Sequence, residues 1–264
     1  LKPQVADGPG TDGRVCGFEV VEKESHQSPG TVKKGDATCP FPDCERVVDG
    51  SEVKRQAQDE KMGEQLYAVV YKERTATHTK TGKEREKWVR GYRAQAPRDD
   101  NYEQVKRLLG EKLPEWEALG VVPTERFPEV CDDDRPIQYG MPLWRDLFSP
   151  RQLYGHATAV EIYQELLREE ESHGDLDEPT KAAFVYLSIA LDKLLNYNSR
   201  MSVWMSTREV VANTFNRHDF AFAWSYAEMA PLITGLGYDW AFEQTEKSVA
   251  ELIDLVRPDI DGKA

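Results

Sequence analysis

The sequence predicts an α+β protein in which a small β-rich ribbon and hairpin region is followed by a mainly α-helical region. Three observations lead there. Residues 1–98 carry the Gly, Pro and Thr punctuation and the period-two runs of short strands. Beyond residue 146, Pro-capped segments place apolar residues at three- and four-residue steps, the spacing of a helix face. The charge balance also changes: 18 Lys and Arg stand against 16 Asp and Glu over residues 1–98, and 16 against 31 over residues 99–264. The chain's net charge of -13 is therefore a balance of +2 followed by one of -15. The expected boundaries are 1–98 for the β-rich part, 99–145 for a helix with a Pro- and Asp-rich connector, and 146–264 for the helical part.

Taken in order, Leu1 to Gly50 favours turns over helix and holds one strand-like run, Val15 to Val21. Glu52 to Glu64 is polar and helix-compatible. Leu66 to Lys72 is β-rich, and Lys87 to Gln95 alternates Trp88, Arg90 and Tyr92 against Val89, Gly91 and Arg93. These two runs are expected to pair as a hairpin with a long polar tip. Asp99 or Asp100 is placed to cap a helix through Leu109 or beyond, because a carboxylate accepts the orphan N–H groups of a first turn. Pro114, Pro123, Pro128 and the segment Cys131 to Pro136 then mark a loop. Ser149 with Pro150 opens a helix whose apolar positions are Leu153, Ala157, Val160, Tyr163 and Leu167. Asp177 with Pro179 opens the next, with Ala183, Phe184, Leu187, Leu191, Leu194 and Leu195 on a wide apolar face. A last helix runs from Phe242 to Val256 and stops before Pro258.

With 264 residues, 39% of them hydrophobic, and six Trp, eleven Tyr and nine Phe, the chain can bury a core and is too apolar for a disordered segment. No apolar run approaches the roughly 20 residues of a membrane span. Four cysteines are too few for a disulfide framework in a chain of this length, so a reduced, cytoplasmic setting is expected. The opening residue is Leu1, with no charged and apolar leader after it, and the chain reads as a piece of something longer.

Three groups of residues are chemically suggestive. Cys39-Pro-Phe-Pro-Asp-Cys44 sets two thiols on a Pro-stiffened loop, half of a tetrahedral zinc site, with Cys16, Cys131, His26 and His78 as the residues able to complete it. The hairpin concentrates Lys72, Arg74, Lys80, Lys83, Arg85, Lys87, Arg90 and Arg93 against Glu73, Glu84 and Glu86, and interleaves Trp88 and Tyr92. A basic two-stranded ribbon fits a nucleic-acid groove or follows a phosphate backbone; an ordinary solvated edge hairpin carries the same charges. Asn198, Trp204, Asn213, Arg217 and Trp224 combine aromatic faces with small polar groups, as a pocket for an extruded base requires, though caps and core use the same residues. No Gly-rich phosphate loop, His-Glu-x-x-His or Gly-x-Ser-x-Gly occurs. His156, His173 and His218 stand alone, and His156 reads as a structural histidine on or beside a helix's packing face.

Gly35-Asp-Ala-Thr-Cys-Pro40, Leu143 to Leu153 (Leu-Trp-Arg-Asp-Leu-Phe-Ser-Pro-Arg-Gln-Leu), Asn198 to Trp204 (Asn-Ser-Arg-Met-Ser-Val-Trp), Asn213-Thr-Phe215 and Phe222 to Glu228 together resemble the large adenine-specific DNA methylases that contain a Zn-ribbon, a family met in prokaryotic restriction and phage-defence loci. The resemblance covers nearly the whole chain. It implies that Cys39 and Cys44 are the second knuckle of the ribbon, with a four-residue spacing where the family usually has two. It also implies that an S-adenosylmethionine-binding segment precedes this region and an Asp-Pro-Pro-Tyr motif follows it. The chain is then an internal, non-catalytic segment of an N6-adenine methyltransferase, inactive alone, with S-adenosylmethionine held by the parent only. Its partners are DNA, through Lys80, Lys83, Arg85, Lys87, Trp88, Arg90 and Arg93, and the remaining catalytic domain of the same polypeptide. A non-enzymatic nucleic-acid-binding module and an acidic protein-interaction domain are the alternatives.

Overall fold

A computed structural model describes the chain except for residues 1, 6–13, 22, 79–83, 129, 131, 217–223 and 257–264. It is an α+β protein: small antiparallel sheets lie mainly in the first part, and the long helices follow. Two compact units are distinguished, one of residues 1–101 with 138–140, the other of residues 102–137 with 141–264.

In the first unit, β1 (Lys2–Val5) pairs with β2 (Arg14–Gly17), a shorter strand than the run to Val21 suggested. β3 (Val32–Lys33), β4 (Asp36–Thr38) and β5 (Val47–Val48) form a three-stranded meander. Lys34 and Gly35 join the first two of these strands with φ of 55° and 98°, the left-handed pair that a two-residue hairpin turn demands. The loop from Cys39 to Arg46 joins the last two, closed by Cys39 N–H donating to the Arg46 carbonyl at 2.9 Å. Helix α1 (Gly50–Gln58) starts on Asp49, whose carboxylate accepts from Ser51 N–H at 2.8 Å. Residues 138–140 return to this helix, where Lys54 and Gln58 both donate to Gln138. Gly140 is obligatory there: its φ is +75°, and a β-carbon would lie 2.3 Å from the Ala57 carbonyl oxygen.

Strands β6 (Ala68–His78) and β7 (Glu84–Ala94) pair over eleven positions, from Ala68 opposite Ala94 to His78 opposite Glu84. The polar stretch after Glu73 thus continues the strand instead of opening the tip. Alternation explains it, because polar residues satisfy a ribbon that buries neither face. Asp99 does not cap the following helix. It closes the base of this ribbon, accepting from both terminal nitrogens of Arg93 at 2.6 and 2.8 Å and from Ala96 N–H at 2.7 Å.

The second unit is helical. α2 (Tyr102–Ala118) runs through Pro114, past the expected loop. Burial of Leu109 and Trp116 against α4 (Pro150–Ser172) outweighs the one hydrogen bond Pro114 forgoes, and these residues form a core with Val121, Val122, Leu153 and Ala157. α3 (Arg135–Gln138) is a single turn. Ser149 caps α4 through its Oγ, which accepts from Gln152 N–H at 3.2 Å, while Gln152 Oε1 accepts from Ser149 N–H at 2.9 Å. Asp177 caps α5 (Glu178–Tyr197) with its carboxylate, which accepts from Thr180 N–H at 2.9 Å. A two-stranded hairpin follows, β8 (Val203–Met205) with β9 (Val210–Ala212). Helix α6 (Gly237–Val256) packs along α5, with Leu194 and Ala241 fully buried. Among the described residues no helix is long and apolar enough to cross a membrane.

Candidate nucleic-acid interface

Register decides what each face of the β6–β7 ribbon offers, because paired residues point to the same side and successive residues to opposite sides. Val70 faces Tyr92, Lys72 faces Arg90 and Arg74 faces Trp88 on one side; Val69 faces Arg93, Tyr71 faces Gly91, Glu73 faces Val89 and Thr75 faces Lys87 on the other. On this second side the Tyr71 ring lies across Gly91, where a β-carbon would meet it at 2.4 Å. Both sides are open: Val70, Tyr71, Trp88, Val89 and Tyr92 are all exposed, Trp88 most of them at 57%. The Arg74 guanidinium stands over the Trp88 ring, 5.0 Å from its centre, and reaches Glu86 at 3.4 Å.

The expected DNA-contacting residues are consequently divided. Trp88 and Arg90 share the first face, while Arg85, Lys87 and Arg93 belong to the second. Arg93 is committed to Asp99, whose carboxyl the guanidinium hydrogen bonds hold far below the usual carboxylate range. Lys80 and Lys83 lie outside the described residues. Lys72 and Arg74, read in the sequence as part of the basic hairpin, share the face of Trp88 and Arg90, a placement that only the pairing register gives.

Around Cys39 the loop folds on itself, with Cys44 and Glu45 N–H both donating to the Phe41 carbonyl at 2.9 and 3.0 Å over a buried Phe41 ring. Burial and the neighbouring Cys39 push the Cys16 thiol up. Cys16 and Cys39 are thus electrostatic neighbours, and neither they nor Cys44 are in a disulfide. Among the described residues no three Cys, His, Asp or Glu converge to hold a metal. Cys131 and the His78 side chain lie outside the described residues.

The segment Asn198 to Ser202 is a buried polar hub. The His156 ring, 6% exposed, donates from Nε2 to the Asn198 carbonyl at 3.0 Å, which leaves Nδ1 to accept from the Tyr238 hydroxyl at 3.0 Å. Burial lowers the His156 pKa and raises that of Tyr238 well above the ordinary phenol range. Asn198 Oδ1 accepts from Met229 N–H at 2.9 Å, Ser202 O from Ala227 N–H at 2.7 Å, and the Ser199 and Thr214 hydroxyls bond at 2.7 Å. Arg200 donates from its backbone to the Leu147 carbonyl and from Nη1 to the Asp146 carbonyl. Glu228 accepts from Ser149 Oγ and stands 2.9 Å from Arg151 Nε.

Of the expected base-pocket residues, Asn198 is thus 3% exposed and its Oδ1 engaged, Trp204 sits opposite Val211 in the small hairpin, Asn213 is half-buried beside it, and Trp224 is 49% exposed. Arg217 lies outside the described residues. His156 and Glu228 bind the hub together, and segments 143–153 and 198–204 meet on it with 224–228, the described part of the 222–228 motif. No family model, curated protein or solved structure matches the chain.

Proposed function

We propose that this chain is a non-catalytic, DNA-contacting segment of a cytoplasmic, S-adenosylmethionine-dependent adenine-specific DNA methyltransferase, with the ribbon as its nucleic-acid contact and the helical unit as support. The observation that carries the DNA contact is the ribbon itself. Eleven residue pairs form a hairpin open on both faces, and isolated two-stranded ribbons are at best marginally stable, so this one is built for what it touches. Lys72, Arg74, Arg85, Lys87 and Arg90 supply the phosphate-neutralising charge that dominates such binding, on the part of the chain whose balance is positive. The methyltransferase assignment rests on the resemblance carried together by residues 35–40, 143–153, 198–204, 213–215 and 222–228. Methyl transfer to the adenine amine and S-adenosylmethionine binding belong to the parent, and Cys39 with Cys44 would supply two of a zinc ion's ligands.

Retention of a DNA duplex by the chain at low salt, falling steeply as salt rises, is the expected result, with methyl transfer from radiolabelled S-adenosylmethionine staying at background. Retention of neither duplex nor single-stranded DNA at low salt sinks the DNA contact, and robust turnover sinks the non-catalytic assignment. A protein-interaction role is favoured by a separate observation. Ile162 and Leu166 of α4, Val185 and Ile189 of α5, and Leu252 and Leu255 of α6 are all about half exposed or more. Self-association or capture of the parent's remaining domain, without DNA retention, is the outcome that role predicts.

A further inference from the structure

We propose that the ribbon engages unpaired nucleic acid through one face only, with Trp88 stacking on a base and Lys72 and Arg90 holding the adjoining phosphate. This rests on the reading of the ribbon as a nucleic-acid contact and specifies the form of nucleic acid it takes. Three observations carry it. Trp88 is the most exposed of the ribbon's large apolar side chains at 57%, and one side of its ring is backed by the Arg74 guanidinium at 5.0 Å, leaving an aromatic plane toward solvent. In a duplex the flat surfaces of the bases are covered by their neighbours and only edges show in the grooves, so an exposed indole plane gains its stacking energy from an unpaired base.

Lys72 stands directly opposite Arg90, which puts two cationic side chains on one rung of this face. This pair adjoins the Arg74–Trp88 pair on the same face, and Tyr92 stands beyond it, four residues from Trp88 or about 14 Å at the rise of a strand. The face therefore reads aromatic, cationic, aromatic along one line. The opposite face lacks this order: its aromatic ring, Tyr71, lies over Gly91, and Arg93 is occupied by Asp99. No Asn or Gln on the Trp88 face is available for edge recognition of adenine, which again favours stacking over groove reading. Extrusion of a target base is one event that exposes an unpaired strand beside such a contact.

The test uses the whole chain and fluorescence anisotropy with a labelled oligothymidine of about a dozen nucleotides, beside a duplex of equal length, at low salt. The single strand is expected to bind more tightly. Trp88→Leu should weaken single-strand binding roughly ten-fold, the loss of one stacked base, and leave duplex binding nearly unchanged, whereas Trp88→Phe restores much of the loss. Charge reversal by Lys72→Glu should weaken the single strand more than Thr75→Glu on the other face. Photocrosslinking of a bromodeoxyuridine strand to the unmutated chain should label the peptide that contains Trp88, which keeps the test independent of whether any variant folds. Tighter duplex binding, an unaffected Trp88→Leu variant of native circular dichroism, or crosslinks confined to other peptides overturns the one-face stacking proposal while leaving the DNA contact standing. Binding of neither form by the unmutated chain sinks the underlying reading and this proposal with it.

Discussion

Asn198 shows how a single side chain separates structural from recognition chemistry. Its Oδ1 accepts from Met229 N–H, and its carbonyl takes the His156 ring proton, so it ties the end of α5 to a segment some thirty residues on. Asn198→Ala leaves the Met229 donor without its partner and should cost about 1–3 kcal/mol in urea unfolding. A base-reading role instead predicts weakened DNA binding with stability intact. His156 makes a pH prediction whose sign follows from its burial. The folded state holds the ring neutral, with its pKa below the ordinary value of about 6.5, so the unfolded chain takes up a proton first as pH falls. Stability is fully present above that value and declines below it. Denaturant midpoints measured across this range should show the decline, and His156→Gln should flatten it.

At the scale of elements, caps and clamps do what hydrophobic pattern alone does not. Ser149 holds the first turn of α4 and also donates to Glu228, so Ser149→Ala should cost about 1–2 kcal/mol in urea unfolding, the upper part of the range for removal of an N-cap. The Arg93–Asp99 pair closes the ribbon at its base. Asp99→Asn removes the charge that pairs with the guanidinium, and hydrogen exchange by mass spectrometry should then speed up over residues 68–71 and 90–94 while α4 and α5 keep their protection. Since this carboxyl is held ionised by its partner, its contribution is present above the ordinary pKa of an aspartate and is lost as pH falls below it. Gly140 is a clamp of another kind, because backbone and not a movable side chain occupies the space a methyl would need where residues 138–140 return to α1.

For the molecule as a whole, the split in charge is the governing property. A chain of net charge -13 is repelled by nucleic acid at a distance, so any binding must come from a local concentration of cations and must weaken quickly as salt screens it. Reversing Lys72 and Arg90 together should lower affinity at low salt and flatten the slope of log affinity against log salt by about one for each phosphate no longer neutralised. An unchanged slope would place the DNA contact elsewhere than the ribbon. Exposed apolar residues on α4, α5 and α6, among them Ile162, Val185 and Leu255, differ in chemistry from the ribbon's cations.

Ser149 and Asp177 announced their helices because a cap is a local device, satisfied by the first turn it starts; the α+β class and the strand pair around Trp88 were legible for the same reason, since alternation and helical spacing are written in adjacent residues. The helix through Pro114 was not, because its tolerance depends on Trp116 finding a buried place against α4. Nor was the true length of the ribbon, whose polar residues read as a tip until pairing gave them partners. The division of its cations between two faces, the clamp of Arg93 by Asp99, and the gathering of three distant segments on Asn198 to Ser202 were decided only by tertiary structure. Each depends on which residues meet across space, and a linear pattern carries periodicity and local caps but not the register or the partners that bring distant groups within hydrogen-bonding reach.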